Sequence, residues 1–307
     1  MTLAIGVDGG GTLTRAVLID GRGTELSRGG SSGAVVTAGA PEAAAKAVSE
    51  AVHAAAERGG VALPVGGLWA GLAGASLAAG RQTVAAELEA AGLAERVVVG
   101  TDVEAAFHDA FGQGPGILLI AGTGSIAWGR NATGAVVRVG GWGERLGDEG
   151  SGFAIGAGAL RAIALADDGR GPATALRQLV LEHLSIDRTD GLIGWAATAT
   201  KGAVAALAPL VSRASTADDP AAAAILATAV ADLCLHLDTV LDRTGPWPEP
   251  PELVLWGGLI GHGGPLRDAV ADAVDAYSVR LSSDDLDPAM GAAKLALATL
   301  SDARLDP

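Results

Sequence analysis

Residues 3–19 read LAIGVDGGGTLTRAVLI and enclose a run of three glycines between two apolar segments. The continuous apolar segment before the glycines and the alternating one after them are typical of two antiparallel strands joined by a tight turn. Asp8 closes the first strand. Because glycine has no Cβ, the backbone amides of such a turn are open to a bound anion. The pattern predicts a β-hairpin whose turn could bind an anion beside Asp8.

The same plan recurs 113 residues later, where residues 116–129 read GILLIAGTGSIAWG. The alignment places Gly9 with Gly122, Gly11 with Gly124, and Thr12 with Ser125. Self-similarity at about half the chain length indicates two related lobes. The alternative is a chance match between two glycine hairpins, since the chain contains 46 glycines.

Composition excludes several classes of protein. Of the 307 residues, 49% are hydrophobic and 18% charged, so the chain is not disordered. The net charge of −14 disfavours nucleic acids and anionic membranes as partners. The single cysteine, Cys234, excludes an intrachain disulfide. The sequence starts without the basic and apolar pattern of a signal peptide, so we expect a cytoplasmic protein.

Beyond the hairpins, predicted helices alternate with short predicted strands, which indicates an α/β fold with crossover connections. We predict two lobes. The first spans residues 1–114 and is joined by the closing helix 290–307. The second spans residues 115–289 and is enlarged by a helical stretch between residues 173 and 243.

Known motifs narrow the chemistry further. The sequence has no P-loop, no nicotinamide-binding fingerprint and no zinc-hydrolase pattern. What remains are the two glycine turns, whose hydroxyl-bearing residues Thr12, Thr123 and Ser125 add donors for a phosphate. Asp8 fits beside a phosphate only with Mg²⁺ between them. The alternative is that each turn is only a tight turn.

Two further groups of acids are candidates. Asp102 follows a predicted strand and opens a helix, a position where α/β sheets bind ligands, although Asp is also a common helix N-cap. Asp148 and Glu149 lie in a glycine-rich block with Gly141, Trp142 and Gly143. The paired acids suit sugar hydroxyls and the tryptophan suits a sugar face. The alternative is a surface turn with a cap at Ser151.

These motifs, in this order, resemble the N-acetylglucosamine kinase and BadF/BadG/BcrA/BcrD-type ATPase family of the actin–hexokinase–Hsp70 superfamily. The matching segments are residues 6–12, 122–125, 140–152, 254–258 and 288–292. The resemblance implies two ribonuclease-H-like lobes, as in actin-like ATPases, with ATP and Mg²⁺ in an interlobe cleft. It also implies a homodimer and an amino-sugar substrate.

The resemblance further assigns roles to individual residues. Asp102 would be the catalytic base and would also contact the sugar, and Asp8 would face the metal. The sugar would be bound by Gly141, Trp142, Gly143, Asp148 and Glu149. ATP would be bound by Gly9, Gly10, Gly11, Thr12, Gly122, Thr123, Gly124, Ser125, Gly257 and Gly258.

Two departures bear on the sugar. Relatives that bind an N-acetyl group commonly carry Asn in the loop after the second and third strands. Here that segment, residues 30–35, reads GSSGAV, and Ile126 stands where some relatives have another Asn. We therefore expect weak use of N-acetylglucosamine. An ATPase that drives a partner protein, or a non-catalytic sugar or nucleotide sensor, remains an alternative to the kinase.

Overall fold

The computed structural model describes residues 2–37 and 39–302 and divides into two compact units. Unit 1 comprises Met1–Gln113 with Leu286–Pro307, and unit 2 comprises Gly114–Asp285. Each unit contains one five-stranded mixed sheet with helices packed on it.

Unit 1 is built on a sheet with the strand order β3-β2-β1-β4-β5. Its strands are β1 (Leu3–Gly9), β2 (Leu13–Asp20), β3 (Glu25–Ser32), β4 (Val65–Leu72) and β5 (Ala94–Thr101). Its helices are α1 (Pro41–Arg58), α2 (Ala78–Ala90), α3 (Asp102–Phe111) and α11 (Pro288–Asp302). The three strands β1, β4 and β5 are parallel, so their carboxyl ends share one edge.

Both faces of this sheet are covered. Ile5 and Val7 of β1 pack in the core beneath α1 and α2, whereas Ala4 faces the core formed with α3 and α11. Gly6 allows α11 to approach the sheet, since a Cβ at this position would lie 1.9 Å from the Ala293 nitrogen. The small side chains of β1 therefore fix the strand that carries Asp8 between two helical layers.

Unit 2 repeats this topology in the order β10-β9-β6-β7-β8. Its strands are β6 (Gly116–Ala121), β7 (Ser125–Arg130), β8 (Val136–Gly140), β9 (Glu252–Trp256) and β10 (Arg280–Leu281). Its helices are α4 (Gly152–Asp167), α5 (Leu176–Leu184), α6 (Gly191–Thr198), α7 (Lys201–Ala205), α8 (Ala208–Thr216), α9 (Pro220–Thr244) and α10 (Arg267–Val274). This α/β fold of two related units confirms the predicted fold class.

Helix α9 alone among the described helices has the length and composition of a membrane span. One stripe of this helix, including Leu233, Leu237 and Val240, is part of the unit 2 core. Length and composition are weak evidence by themselves, because the core helices of globular proteins can have both.

The sequence pattern missed two strands. β3 is polar and glycine-rich, and Gly29 lets α1 pack against it, since a Cβ there would lie 2.2 Å from the Ala51 carbonyl oxygen. The segment 30–32, expected to be a loop, is the end of β3. β8 was also missed. The two hairpins begin 113 residues apart, as in the proposed alignment, but their turns differ in length, because Gly9 pairs with Thr14 in the first and Ala121 pairs with Ser125 in the second.

Candidate active site

A first candidate site lies at the carboxyl edge of the unit 1 sheet. Asp8 on β1 pairs in register with Gly71 on β4, which in turn pairs with Gly100 on β5. Asp102 comes two residues after Gly100, at the start of α3. The parallel strands therefore bring the two predicted catalytic acids to one edge, where open α/β sheets bind ligands.

The environment of Asp8 disfavours its charge. Burial raises its pKa to about 6, and the negative charges of Asp102 and Asp287 act in the same direction. Arg15, which is exposed and lies directly opposite Asp8 on β2, opposes this rise. A cation bound at this edge would relieve the repulsion among the carboxylates.

Asp102 is not the cap of its helix, so the N-cap interpretation is wrong. Thr101 is the N-cap: its hydroxyl accepts a hydrogen bond from the Glu104 amide at 3.2 Å, and Glu104 bonds back to the Thr101 amide at 2.7 Å. Asp102 Oδ1 accepts only a local bond from the Val103 amide at 3.0 Å. Burial raises the pKa of Asp102 despite these backbone bonds, which suits a proton acceptor.

The first glycine turn lies beside these acids. A Cβ on Gly10 would meet nothing closer than the Leu13 carbonyl oxygen, at 3.7 Å, so the turn is open there. Gly33 belongs to the segment in which relatives commonly carry an Asn for the acetamido group. It packs against the turn, since a Cβ on Gly33 would lie 2.5 Å from the Gly11 carbonyl oxygen. The Ala34 amide donates to the Gly10 carbonyl at 3.0 Å. Thr12 is exposed.

Sequence reasoning missed Asp287. Its carboxylate accepts hydrogen bonds from Arg28 at 2.5 Å and from the Met290 amide at 3.3 Å, and its own amide donates to Asp109 at 2.7 Å. Lys294 pairs with Asp109 at 3.0 Å. These bonds tie α11 to β3 and α3 near the acidic edge. Only the Pro288 that follows Asp287, part of a family motif, marked this region in the sequence.

A second candidate site is the turn 122–124 of unit 2. Gly257 follows β9 with a φ of 99°, and a Cβ there would lie 2.4 Å from the Ala121 carbonyl oxygen. Next to it, a Cβ on Gly122 would be 3.8 Å from the Gly258 amide nitrogen. The Gly152 amide, at the start of α4, donates to the Gly122 carbonyl at 2.8 Å. Three separate predicted motifs therefore meet at one edge of unit 2.

Two of the predicted side chains in unit 2 are engaged with the protein itself. The Ser125 hydroxyl is buried and donates to the Glu149 carbonyl at 2.6 Å, so it is not directed at a phosphate. Thr123, by contrast, is exposed at the tip of the turn. Asp148 is 2% exposed, and its Oδ1 accepts from the Ser125 amide at 3.3 Å. The Lys201 Nζ lies 2.6 Å from Asp148 Oδ2.

The rest of the glycine block is more open. Glu149 is exposed, and its Oε2 lies 3.8 Å from Nε2 of the buried His236. His236 packs beneath Gly140, whose Cβ would approach it to 2.6 Å. Trp142 is 63% exposed and stacks against the Arg138 guanidinium at 4.8 Å. An exposed aromatic face beside an exposed carboxylate has the chemistry of a carbohydrate site.

No group of three or more His, Cys, Asp or Glu side chains within the described residues could hold a metal ion by itself. The acidic edge nevertheless fits Mg²⁺, which takes one or two protein carboxylates and completes its shell with water and phosphate oxygens. Asp8, with its raised pKa and half-buried oxygens, is the residue that would bind it. The open amides of the two glycine turns suit the phosphates of a nucleotide.

Comparison with known proteins defines the family. A model of the BadF/BadG/BcrA/BcrD ATPase family matches residues 5–296. The chain therefore belongs to this family, which confirms the resemblance seen in the motifs.

Related proteins include several sugar kinases. The N-acetyl-D-glucosamine kinase of Dictyostelium discoideum is 31% identical over 309 residues, which cover 95% of this chain and 97% of that protein. Glucosamine kinase GspK of Vibrio cholerae is 28% identical, with 82% and 89% covered. A solved structure from Chromobacterium violaceum, provisionally assigned as an N-acetylglucosamine kinase, is 31% identical with a TM-score of 0.80. It covers 98% of this chain, and this chain covers 99% of it.

Proposed function

We propose that the protein transfers the γ-phosphoryl group of ATP to the 6-hydroxyl of an amino sugar. Curated relatives that align with 82% and 95% of the chain are sugar kinases, which supports the general assignment as an amino-sugar kinase. The finer assignment rests on the acidic edge of unit 1. The single observation that carries it is the placement of Asp102, at a strand end beside Asp8, with Thr101 rather than Asp102 as the helix N-cap.

Asp102 acts as the general base in this proposal. It accepts the proton of the sugar 6-hydroxyl as that oxygen forms its bond to the γ-phosphorus and the bond to the β-phosphate oxygen breaks. Burial raises the pKa of Asp102 and thereby increases its affinity for the proton it must take. Since phosphoryl transfer depends mainly on positioning and charge neutralisation, this single proton acceptor suffices.

The remaining residues bind and orient. The open glycine turns would supply backbone amides to the phosphates, and the pair Gly257 and Gly258 would hold the adenosine. Asp8 would hold Mg²⁺, which when bound neutralises phosphate charge. Trp142 and Glu149 are exposed and available to the sugar. The cytoplasmic location expected from the sequence and the homodimer implied by the resemblance both stay predictions.

The test is sugar-dependent ADP release by the variant Asp102→Asn. Asn keeps the oxygen that accepts the Val103 amide, so the helix start is retained while the base is lost. We expect turnover to fall about 10²–10⁴-fold, with no loss of thermal stability, because burial raises the pKa of Asp102 and its ionisation therefore opposes folding. Asp272→Asn, at an exposed position of α10, controls for the loss of one negative charge. Retention of more than a tenth of wild-type turnover would rule out Asp102 as the base.

The same assay separates the alternative functions. A kinase releases ADP only when its sugar is present, an ATPase that drives a partner releases it without sugar, and a sensor binds without turnover. A panel of glucosamine, N-acetylglucosamine, N-acetylmuramate, N-acetylmannosamine and glucose identifies the acceptor.

A further inference from the structure

The ion pair between Asp148 and Lys201 lies directly against the turn 122–124 of unit 2. A Cβ on Gly124 would sit 2.8 Å from Asp148 Oδ1 and 3.0 Å from Lys201 Nζ. Asp148 is 2% exposed and its backbone adopts a φ of 63°, which residues other than glycine rarely take. A conformation this unfavourable persists only where the surrounding structure fixes it.

Lys201 is held in place from the opposite side. It begins α7 immediately after the Thr200 cap, and α7 packs closely on α4, because a Cβ on Gly156 of α4 would lie 2.0 Å from the Val204 carbonyl oxygen. The α4 helix in turn donates from the Gly152 amide to the Gly122 carbonyl at 2.8 Å. The ammonium group and the turn are therefore parts of one packed assembly.

The pairing has an electrostatic consequence. Within the described residues, Lys201 is the only basic side chain that forms an ion pair with Asp148. Their 2.6 Å approach is an ion pair rather than a directed hydrogen bond, since Oδ2 has no hydrogen-bond partner. Without the ammonium, a buried negative charge would lie immediately behind backbone amides that must attract phosphates. Such a charge interacts strongly because little water screens it.

We propose that Lys201 is a positioning residue whose charge neutralises Asp148 and so allows the turn 122–124 to accept the polyphosphate of a nucleotide. This rests on the proposed function, since it assigns the turn to ATP. The pair also explains why the position between Thr123 and Ser125 is a glycine.

The experiment measures binding of MgADP by isothermal titration calorimetry at pH 8, without sugar. Lys201→Met is expected to weaken binding by roughly tenfold or more. The double variant Lys201→Met with Asp148→Asn, which removes both charges, is expected to return to within about threefold of the wild type. Lys201→Arg keeps the charge and should retain most of the affinity. Lys46→Met, at an exposed position of α1, removes the same charge from a lysine that pairs with Glu50 rather than with Asp148. This control variant should bind MgADP like the wild type.

Three results would overturn the proposal. Unchanged binding by Lys201→Met would show that the pair is irrelevant to nucleotide. A double variant as weak as Lys201→Met would show that the lysine contacts the phosphates itself. If Lys201→Met fails to fold, Asp148→Asn decides: it is expected to bind MgADP at least as tightly as the wild type, and a tenfold loss would contradict the argument. Absence of MgADP binding by the wild type would instead refute the proposed function.

Discussion

Replacement of Asp8 by Asn should stabilise unit 1 while abolishing phosphoryl transfer. The pKa of this carboxyl rises from 3.8 to about 6, chiefly because of burial and then because of Asp102. A raised carboxyl pKa means that the folded state binds the proton more tightly than the unfolded state does. Ionisation of Asp8 therefore opposes folding, and at 1.36 kcal/mol per pKa unit the cost reaches about 3 kcal/mol.

The pH dependence follows from the same values. Well below pH 3.8 Asp8 is protonated in both states and costs nothing. The cost grows as the pH rises through 3.8 to about 6 and is complete above pH 7. Asp8→Asn removes the charge, so its gain in the free energy of unfolding should be about 3 kcal/mol at pH 8 and only about 0.5 kcal/mol at pH 4.

Denaturant unfolding at pH 4, 6 and 8 without Mg²⁺ measures this gain, and hydrogen exchange of the β1 amides reports unit 1 specifically. Asp20→Asn is the matched control with the opposite sign, because backbone amides of Thr24 and Arg22 lower the pKa of Asp20. Its carboxylate contributes stability above the unfolded pKa that is lost as the pH falls. A gain for Asp8→Asn that is equal at pH 4 and pH 8 would refute the electrostatic reasoning.

Two further predictions concern the turn and the acceptor. Gly10→Ala should fold normally, because the added Cβ meets no atom closer than 3.7 Å, yet it should raise the KM for ATP roughly tenfold by blocking the approach of the phosphates. Steady-state kinetics measure the KM and thermal unfolding measures the stability. Gly6→Ala is the contrasting variant, which should not fold. N-acetylglucosamine should show a higher KM than glucosamine, by roughly ten- to a hundredfold, because the expected amide partners are missing. Ile126→Asn should narrow that gap, and a wild-type KM lowest for N-acetylglucosamine would show that the acetamido group is bound by other residues.

The sequence predicted those elements whose signal lies within a few neighbouring residues. The two central hairpins followed from apolar segments around glycines, and Asp102 followed from its position after a strand. β3 escaped prediction because its inward residues are Ser27, Gly29 and Ser31, which fit the close approach of α1 rather than hydrophobic burial. The hydroxyl of Ser125 was assigned to phosphate because nothing in the sequence shows that it faces the Glu149 carbonyl.

The sequence could not predict the interactions of Lys201 with Asp148 and of Asp287 with Asp8, because these residues are distant along the chain. Lys201 lies in a helical insertion and Asp287 at the start of the last helix, and neither belongs to a motif with Asp148 or Asp8. Their importance arises from contacts that only the folded chain creates. A charged residue outside any motif is ordinarily a solvated surface residue, so sequence alone gives no reason to select these two.

The two units show how one topology can support opposite electrostatic tasks. The unit 1 edge gathers Asp8 and Asp102, whose mutual repulsion is opposed by the exposed Arg15, and we expect it to favour a cation and a proton. The unit 2 edge also contains an acid, Asp148, but buries it and pairs it with Lys201, and we propose that this pairing lets the adjacent amides face an anion. A kinase needs both a proton acceptor and a phosphate cradle, and identical edges could not supply them. Since the strand order is the same, the difference depends on a few side chains placed behind the turns.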